Sequence, residues 1–185
     1  MDTDVEVLKP LDEFLKYEGV SGFESSTQIP TGLMASRDLH PLVKEWLDDY
    51  AGKHFIKEDG SFDLTTNVRR ITNICLKHGF VANGKLQTVA DFTFFPSDVF
   101  CPKSHETGVI ICTENTVTIH HFAGSWVPEY YKVLNEKLAG TYRKFGKNKF
   151  SDFFAIIYSG FYRLKNTGLR KTFRHYFSKG AKGDE

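Results

Sequence analysis

The apolar residues of this chain come in short clusters. The longest are Val109–Cys112 and Phe153–Tyr158, far below the ~18 residues that a bilayer-spanning helix needs. With no long span available, the period within each cluster decides the class. Val5-Glu6-Val7-Leu8 alternates and is stopped by Pro10, the pattern of a short strand. Leu11–Tyr17 has room for one or two helical turns, and Gly22–Glu24 and Thr31–Ser36 read as further short strands. Leu42, Val43, Trp46, Leu47 and Tyr50 then recur at helical spacing. Pro41 suits the first position of that helix, with Asp38 or His40 as its N-cap. Asp59-Gly60 marks a turn. A second helix carries Val68, Ile71, Ile74 and Cys75 on one side, capped by Thr65 or Thr66 and ended by Gly79. Val89–Phe95 is a β-rich run closed by Pro96, and Phe100-Cys101-Pro102 is extended because the residue before proline avoids the helical region. Thr116–Phe122 alternates with β-branched residues, as a strand does. Pro128–Tyr142 is helical, and two more helices follow in 149–178. The expected class is mixed α/β, with strands early and helices late.

A chain of 185 residues has room for one domain of ordinary size. Its 41% hydrophobic and 25% charged residues exclude disorder as the general state. A net charge of +1 argues against a dedicated nucleic-acid binder. The acidic opening MDTDVEVLKP is neither a secretory signal nor a mitochondrial presequence. Cys75, Cys101 and Cys112 form no CxxC pair and are odd in number, which points to a reducing, cytoplasmic setting. The charge is unevenly spread. Residues 143–185 hold 11 Lys or Arg against 3 Asp or Glu, whereas the preceding residues hold 13 against 20. The basic tail also carries Phe153, Phe154, Tyr158, Phe161, Tyr162, Phe173, Tyr176 and Phe177. Basic and aromatic residues together on a helix suit a peripheral membrane contact through 150–185. The plain alternative is a solvated helical extension whose apolar face packs on the body.

Two short constellations offer chemistry. Asp2-Thr3-Asp4 places two carboxylates one residue apart, able to face one divalent cation if the backbone turns between them. In His120-His121-Phe122-Ala123-Gly124-Ser125-Trp126 a strand ends in two histidines before a Gly-Ser break. Adjacent strand residues point to opposite faces, so one of the pair at most faces a given site. An imidazole added to two carboxylates favours Mn²⁺ over Mg²⁺.

These segments carry a family resemblance. MDTDVEVLKPLDEFL resembles the D-x-D region of nucleotide-sugar-dependent GT-A transferases, and more narrowly that of glycosyltransferase family 32. That group includes capsular-polysaccharide transferases and yeast initiating mannosyltransferases. Val5, Val7, Leu8, Pro10, Leu11 and Asp12 stand in the places of the family's hydrophobic and V-x-x-L-x-P-L-D positions. Gly22–Glu24, TGLMAS followed by HPLVKEWLDDY, FFPSDVFCP and TENTVTIHHFAGSW resemble further landmarks in family order. The likeness covers roughly residues 1–135.

The resemblance implies an α/β chain. Residues 1–148 would form the C-terminal portion of a GT-A fold, Rossmann-like, starting at the D-x-D motif. Residues 149–185 would form a basic aromatic helical extension. It implies metal-dependent retaining transfer of a sugar from a UDP- or GDP-sugar to a glycan or lipid-linked saccharide, as in capsule or other polysaccharide biosynthesis. The cofactor would be Mn²⁺ or Mg²⁺. Asp4 would ligate it, and Asp2 would contact both metal and donor. His121, followed by Phe122 and Gly124, is the late ligand, with His120 as the alternative. Ser125 and Trp126 would cover the donor diphosphate, and Glu24, Gln28 and Thr31 would meet the acceptor. No catalytic nucleophile is assigned. Asn67-Val68 stand where many relatives show a Gly-Pro element. Relatives also carry nucleotide-binding βα units before the D-x-D, where this sequence has only Met1. The chain is therefore expected to lack that part, and the alternative function is a non-catalytic truncated remnant that retains metal or glycan binding. The expected setting is cytoplasmic, peripheral on the inner membrane face.

Overall fold

Proline and side-chain caps set the early helices. The computed structural model describes residues 1–63, 65–124 and 127–180, with backbone alone over 169–180. Helix α1, Pro41–Asp48, starts on its proline, and His40 is the cap: its Nδ1 accepts from the Leu42 N–H at 3.2 Å. Helix α2, Asn67–Lys77, is capped by Thr66, whose hydroxyl accepts from the Arg69 N–H at 3.3 Å. Gly79 follows its end at φ 90°, as a helix C-terminus favours. Both caps were among the alternatives that the sequence offered.

The strands are shorter than the sequence suggests. They are β1 (Val5–Val7), β2 (Gly19–Gly22), β3 (Ala35–Ser36), β4 (Gln87–Val89), β5 (Phe92–Phe95) and β6 (Thr118–His120). A 3₁₀ turn, Asp12–Lys16, occupies the place read as one or two helical turns. The expected strand Gly22–Glu24 lies instead at Gly19–Gly22. The expected strand Thr31–Ser36 pairs only over its last two residues. The run Val89–Phe95 is not one strand. Ala90 and Asp91, at φ 47° and 61°, turn the chain back so that β4 and β5 pair antiparallel. Positive φ at both central residues is what a two-residue hairpin turn needs, but this turn lacks the glycine that would have announced it. The segment Phe100-Cys101-Pro102, expected to be extended, is not: Phe100 ends a short helix, α3 (Ser97–Phe100), and Cys101 caps it at φ −141° and ψ 60°, its N–H donating to Ser97 C=O.

The chain divides into two compact units. The first is Met1–Ser104 with Ile110–Ala123, and the second is His105–Val109 with Gly124–Glu185. In the first unit the main sheet has the order β3-β2-β5-β4, with β2 and β5 parallel and the outer pairs antiparallel. Alternation along the central strands feeds two cores. Phe92 and Phe94 join Leu42, Trp46, Ile71 and Ile74 from α1 and α2. Val20 joins Phe14, Leu33, Val99, Phe100 and Val117. Separately, β1 and β6 form a two-stranded antiparallel ribbon, with Val5 opposite His120 and Val7 opposite Thr118.

The second unit holds α4 (Glu129–Phe145) and α5 (Lys149–Gly180). Helix α5 is interrupted at Gly168, φ 78°, consistent with the two late helices that were expected. The two helices pack together through buried Leu134, Ala139, Ser151 and Ala155. The Tyr142 hydroxyl donates to Asp152 at 3.1 Å. This packing keeps α4 and α5 within one compact unit. Among the described residues no helix is long and apolar enough to cross a membrane.

Candidate metal centre

Three metal-ligating side chains meet at the end of the β1–β6 ribbon. Val5 N–H closes a turn on Asp2 C=O at 3.3 Å, so the backbone bends between the two aspartates before β1 begins. That bend brings both carboxylates to the side of His120. One ligand atom from each of Asp2, Asp4 and His120 lies within 4.8 Å of the others. His120 Nε2 is 3.4 Å from Asp4 Oδ1 and 3.9 Å from Asp2 Oδ2. Exposure runs from open to enclosed: side chains of Asp2, Asp4 and His120 are 53%, 23% and 13% exposed. The cluster therefore opens to solvent on the Asp2 side.

Backbone contacts fix each member. Asp2 N–H donates to Gly32 C=O at 2.8 Å, and His121 N–H to Asp4 C=O at 3.0 Å. Ala123 N–H donates to Asp4 Oδ2 at 2.7 Å. That bond, reinforced by His120 and opposed by partial burial, holds the Asp4 carboxyl below its ordinary range. Asp4 is thus kept in the ionised form that a cation requires. The His120 ring is wedged between Gly32 and Phe122. A β-carbon on Gly32 would stand 2.6 Å from His120 Nδ1. The Phe122 ring lies 4.2 Å away, centroid to centroid. His120 Nδ1 is buried and has no hydrogen-bond partner among the described residues. The ring is held by shape, with Nε2 turned to the carboxylates.

The two histidines face opposite ways, as strand alternation requires. His120 joins the aspartates, while His121 Nε2 lies 2.8 Å from Glu6 Oε2 on the other face. Lys103 donates to the His121 carbonyl at 2.6 Å, fixing the strand end. Thr31 sits next to Gly32, and its hydroxyl accepts from Asn67 Nδ2 at 3.0 Å. Glu24 and Gln28 are half-buried on the loop after β2, where Glu24 N–H donates to Gln28 C=O at 2.8 Å. No contact joins them to the cluster among those described. Ser125 and Trp126 lie outside the described residues. Gly32, Phe122 and the Ala123 amide were not singled out as site residues. Gly32 lay within the TGLMAS landmark and Phe122 within the histidine motif, but their contacts with His120 arise only from the tertiary fold.

The donor set fits a hard divalent cation. Bonds of about 2.1 Å in octahedral geometry put neighbouring ligands about 3 Å apart and opposite ones about 4 Å apart. The observed spread is of that size. Three protein donors leave further positions open on the exposed side. Two carboxylates by themselves would repel an anion, so an anionic ligand would bind here only through a cation. Comparison with protein-family models, curated proteins and solved structures returned no match to this chain.

Proposed function

We propose that this chain serves a metal-dependent glycosyltransferase of the family-32 kind, built on a GT-A framework. Under this reading it moves a sugar from a UDP- or GDP-sugar to a glycan or lipid-linked saccharide at the cytoplasmic face of a membrane. The observation that supports it is the Asp2–Asp4–His120 cluster, which unites the two motifs on which the sequence resemblance rested. Mn²⁺ or Mg²⁺ bound there would supply charge stabilisation to a departing nucleoside diphosphate. Asp4, kept ionised by the Ala123 amide, anchors the cation side. Asp2, the most exposed of the three, would touch both metal and donor. His120 contributes Nε2 from the ribbon edge.

Calorimetric titration of the full chain with MnCl₂ tests the reading, followed by the same titration with UDP- and GDP-sugars in the presence of Mn²⁺. One Mn²⁺ site is expected, with affinity falling at least about tenfold in Asp4→Asn, which removes a carboxylate charge, and in His120→Ala, which removes a ligand atom. His121→Ala should leave it unchanged. Loss on His121→Ala with retention on His120→Ala would reverse the ligand assignment. A metal site that shows no nucleotide-sugar binding would remove the transferase reading and keep only the metal.

A further inference from the structure

Helix α5 is amphipathic in the inverted sense. Its buried residues are small, Ser151 and Ala155. Its large apolar residues face outward. Phe150, Phe153, Phe154, Ile157, Phe161 and Leu164 are 37–71% exposed. At 100° per residue these six fall on one arc of about 100°, a single stripe along the helix axis. The aromatic part of the stripe is already clustered, with Phe150 and Phe154 ring centroids 4.7 Å apart. Scattered exposed apolar residues need no explanation, but a continuous stripe of this kind marks a surface that something covers.

The charge of the same helix says what covers it. Lys149–Gly180 carries seven Lys or Arg against one Asp. By sequence, two copies of this helix brought side by side would set like-charged segments against each other, which disfavours self-association. A surface with an apolar interior and an anionic face satisfies both features. The helix is not apolar enough to cross a bilayer, so it would lie in the interface plane. We propose that α5 is a membrane-surface helix, seating Phe150, Phe153, Phe154, Ile157, Phe161 and Leu164 among the acyl chains of an anionic bilayer, with the basic charge of its sequence drawing it to the lipid phosphates. This docking surface stands on observations separate from the metal centre and does not require the transferase reading.

Flotation of the full chain with vesicles of phosphatidylcholine alone, and with a third of the lipid replaced by phosphatidylglycerol, tests it. Binding is expected on the anionic vesicles, weaker by at least about tenfold on the neutral ones and in high salt. Phe154→Glu with Phe161→Glu should abolish it. Both side chains are exposed, so far-ultraviolet circular dichroism should be unchanged, and Phe154→Leu with Phe161→Leu should retain binding. Equal binding of the wild type and the double Glu variant, or no vesicle binding at all, would overturn the proposal. So would a concentration-dependent dimer, seen by light scattering without lipid, that the Glu variant abolishes.

Discussion

Gly32 illustrates how one hydrogen atom can seat an imidazole beside two carboxylates. The His120 ring occupies the space that a side chain at position 32 would need, with Nδ1 2.6 Å from an ideal β-carbon and the Cγ and Cε1 atoms 3.0 Å away. Real β-carbons do not approach so closely, so Gly32→Ala must push the imidazole from its seat against Phe122. The expected outcome is a loss of Mn²⁺ affinity of about tenfold or more, with secondary structure retained by circular dichroism. Wild-type affinity in this variant would show that the ring tolerates displacement and that ligation does not depend on the wedge. The D-x-D pair and the alternation of His120 and His121 could be read from residue order. Which histidine joins the aspartates could not. That choice depends on the turn closed between Asp2 and Val5 and on the His121–Asp4 backbone bond, both of which follow from the ribbon's register.

Local chemistry predicts elements well where it is explicit. The helix starts at Pro41 and Asn67 were visible because proline and a capping threonine have few other uses at those positions. The β4–β5 turn hid because Ala90 adopts left-handed backbone that alanine does not favour, beside an Asp91 that tolerates it. Alanine so held costs roughly 1–2 kcal/mol relative to right-handed backbone. Both are exposed, so little packing depends on their side chains. Replacing Ala90-Asp91 by Asn-Gly should therefore stabilise the fold by about 1 kcal/mol, read as a higher urea midpoint at unchanged slope. A lower midpoint would mean that the turn is held by contacts beyond its backbone angles. The opposite constraint acts one strand away. A β-carbon on Gly19 would stand 2.2 Å from the Phe92 ring, which is fully buried, so Gly19→Ala should cost about 1–3 kcal/mol in the same assay.

At the scale of the molecule, composition spoke for the whole chain while structure speaks for its parts. The basic tail was legible from charge alone, but its packing on α4 was not, because that rests on particular pairs, Tyr142 with Asp152 and Arg163 over the Tyr131 ring, which a charge count does not reveal. The three cysteines now report on different parts of the first unit. Cys75 is buried among α1 and α2, Cys101 is buried beside Phe100 in the segment after α3, and Cys112 is exposed. Burial pushes both Cys75 and Cys101 up to about 12. A thiol must ionise to react, so neither can be modified at neutral pH without local or global opening. A disulfide reagent at pH 8 should therefore consume one thiol promptly in native protein and three in guanidinium chloride. If the sheet and its two cores open as one cooperative unit, Cys75 and Cys101 should then react at a common slow rate; distinct rates would show that one face opens alone. The linkage has a definite sign. Because the folded protein holds these protons more tightly than the unfolded chain, their contribution to stability is intact below the ordinary thiol value of 9.0. It should decline as pH rises from there toward about 12. Cys75→Ser should make that alkaline decline shallower.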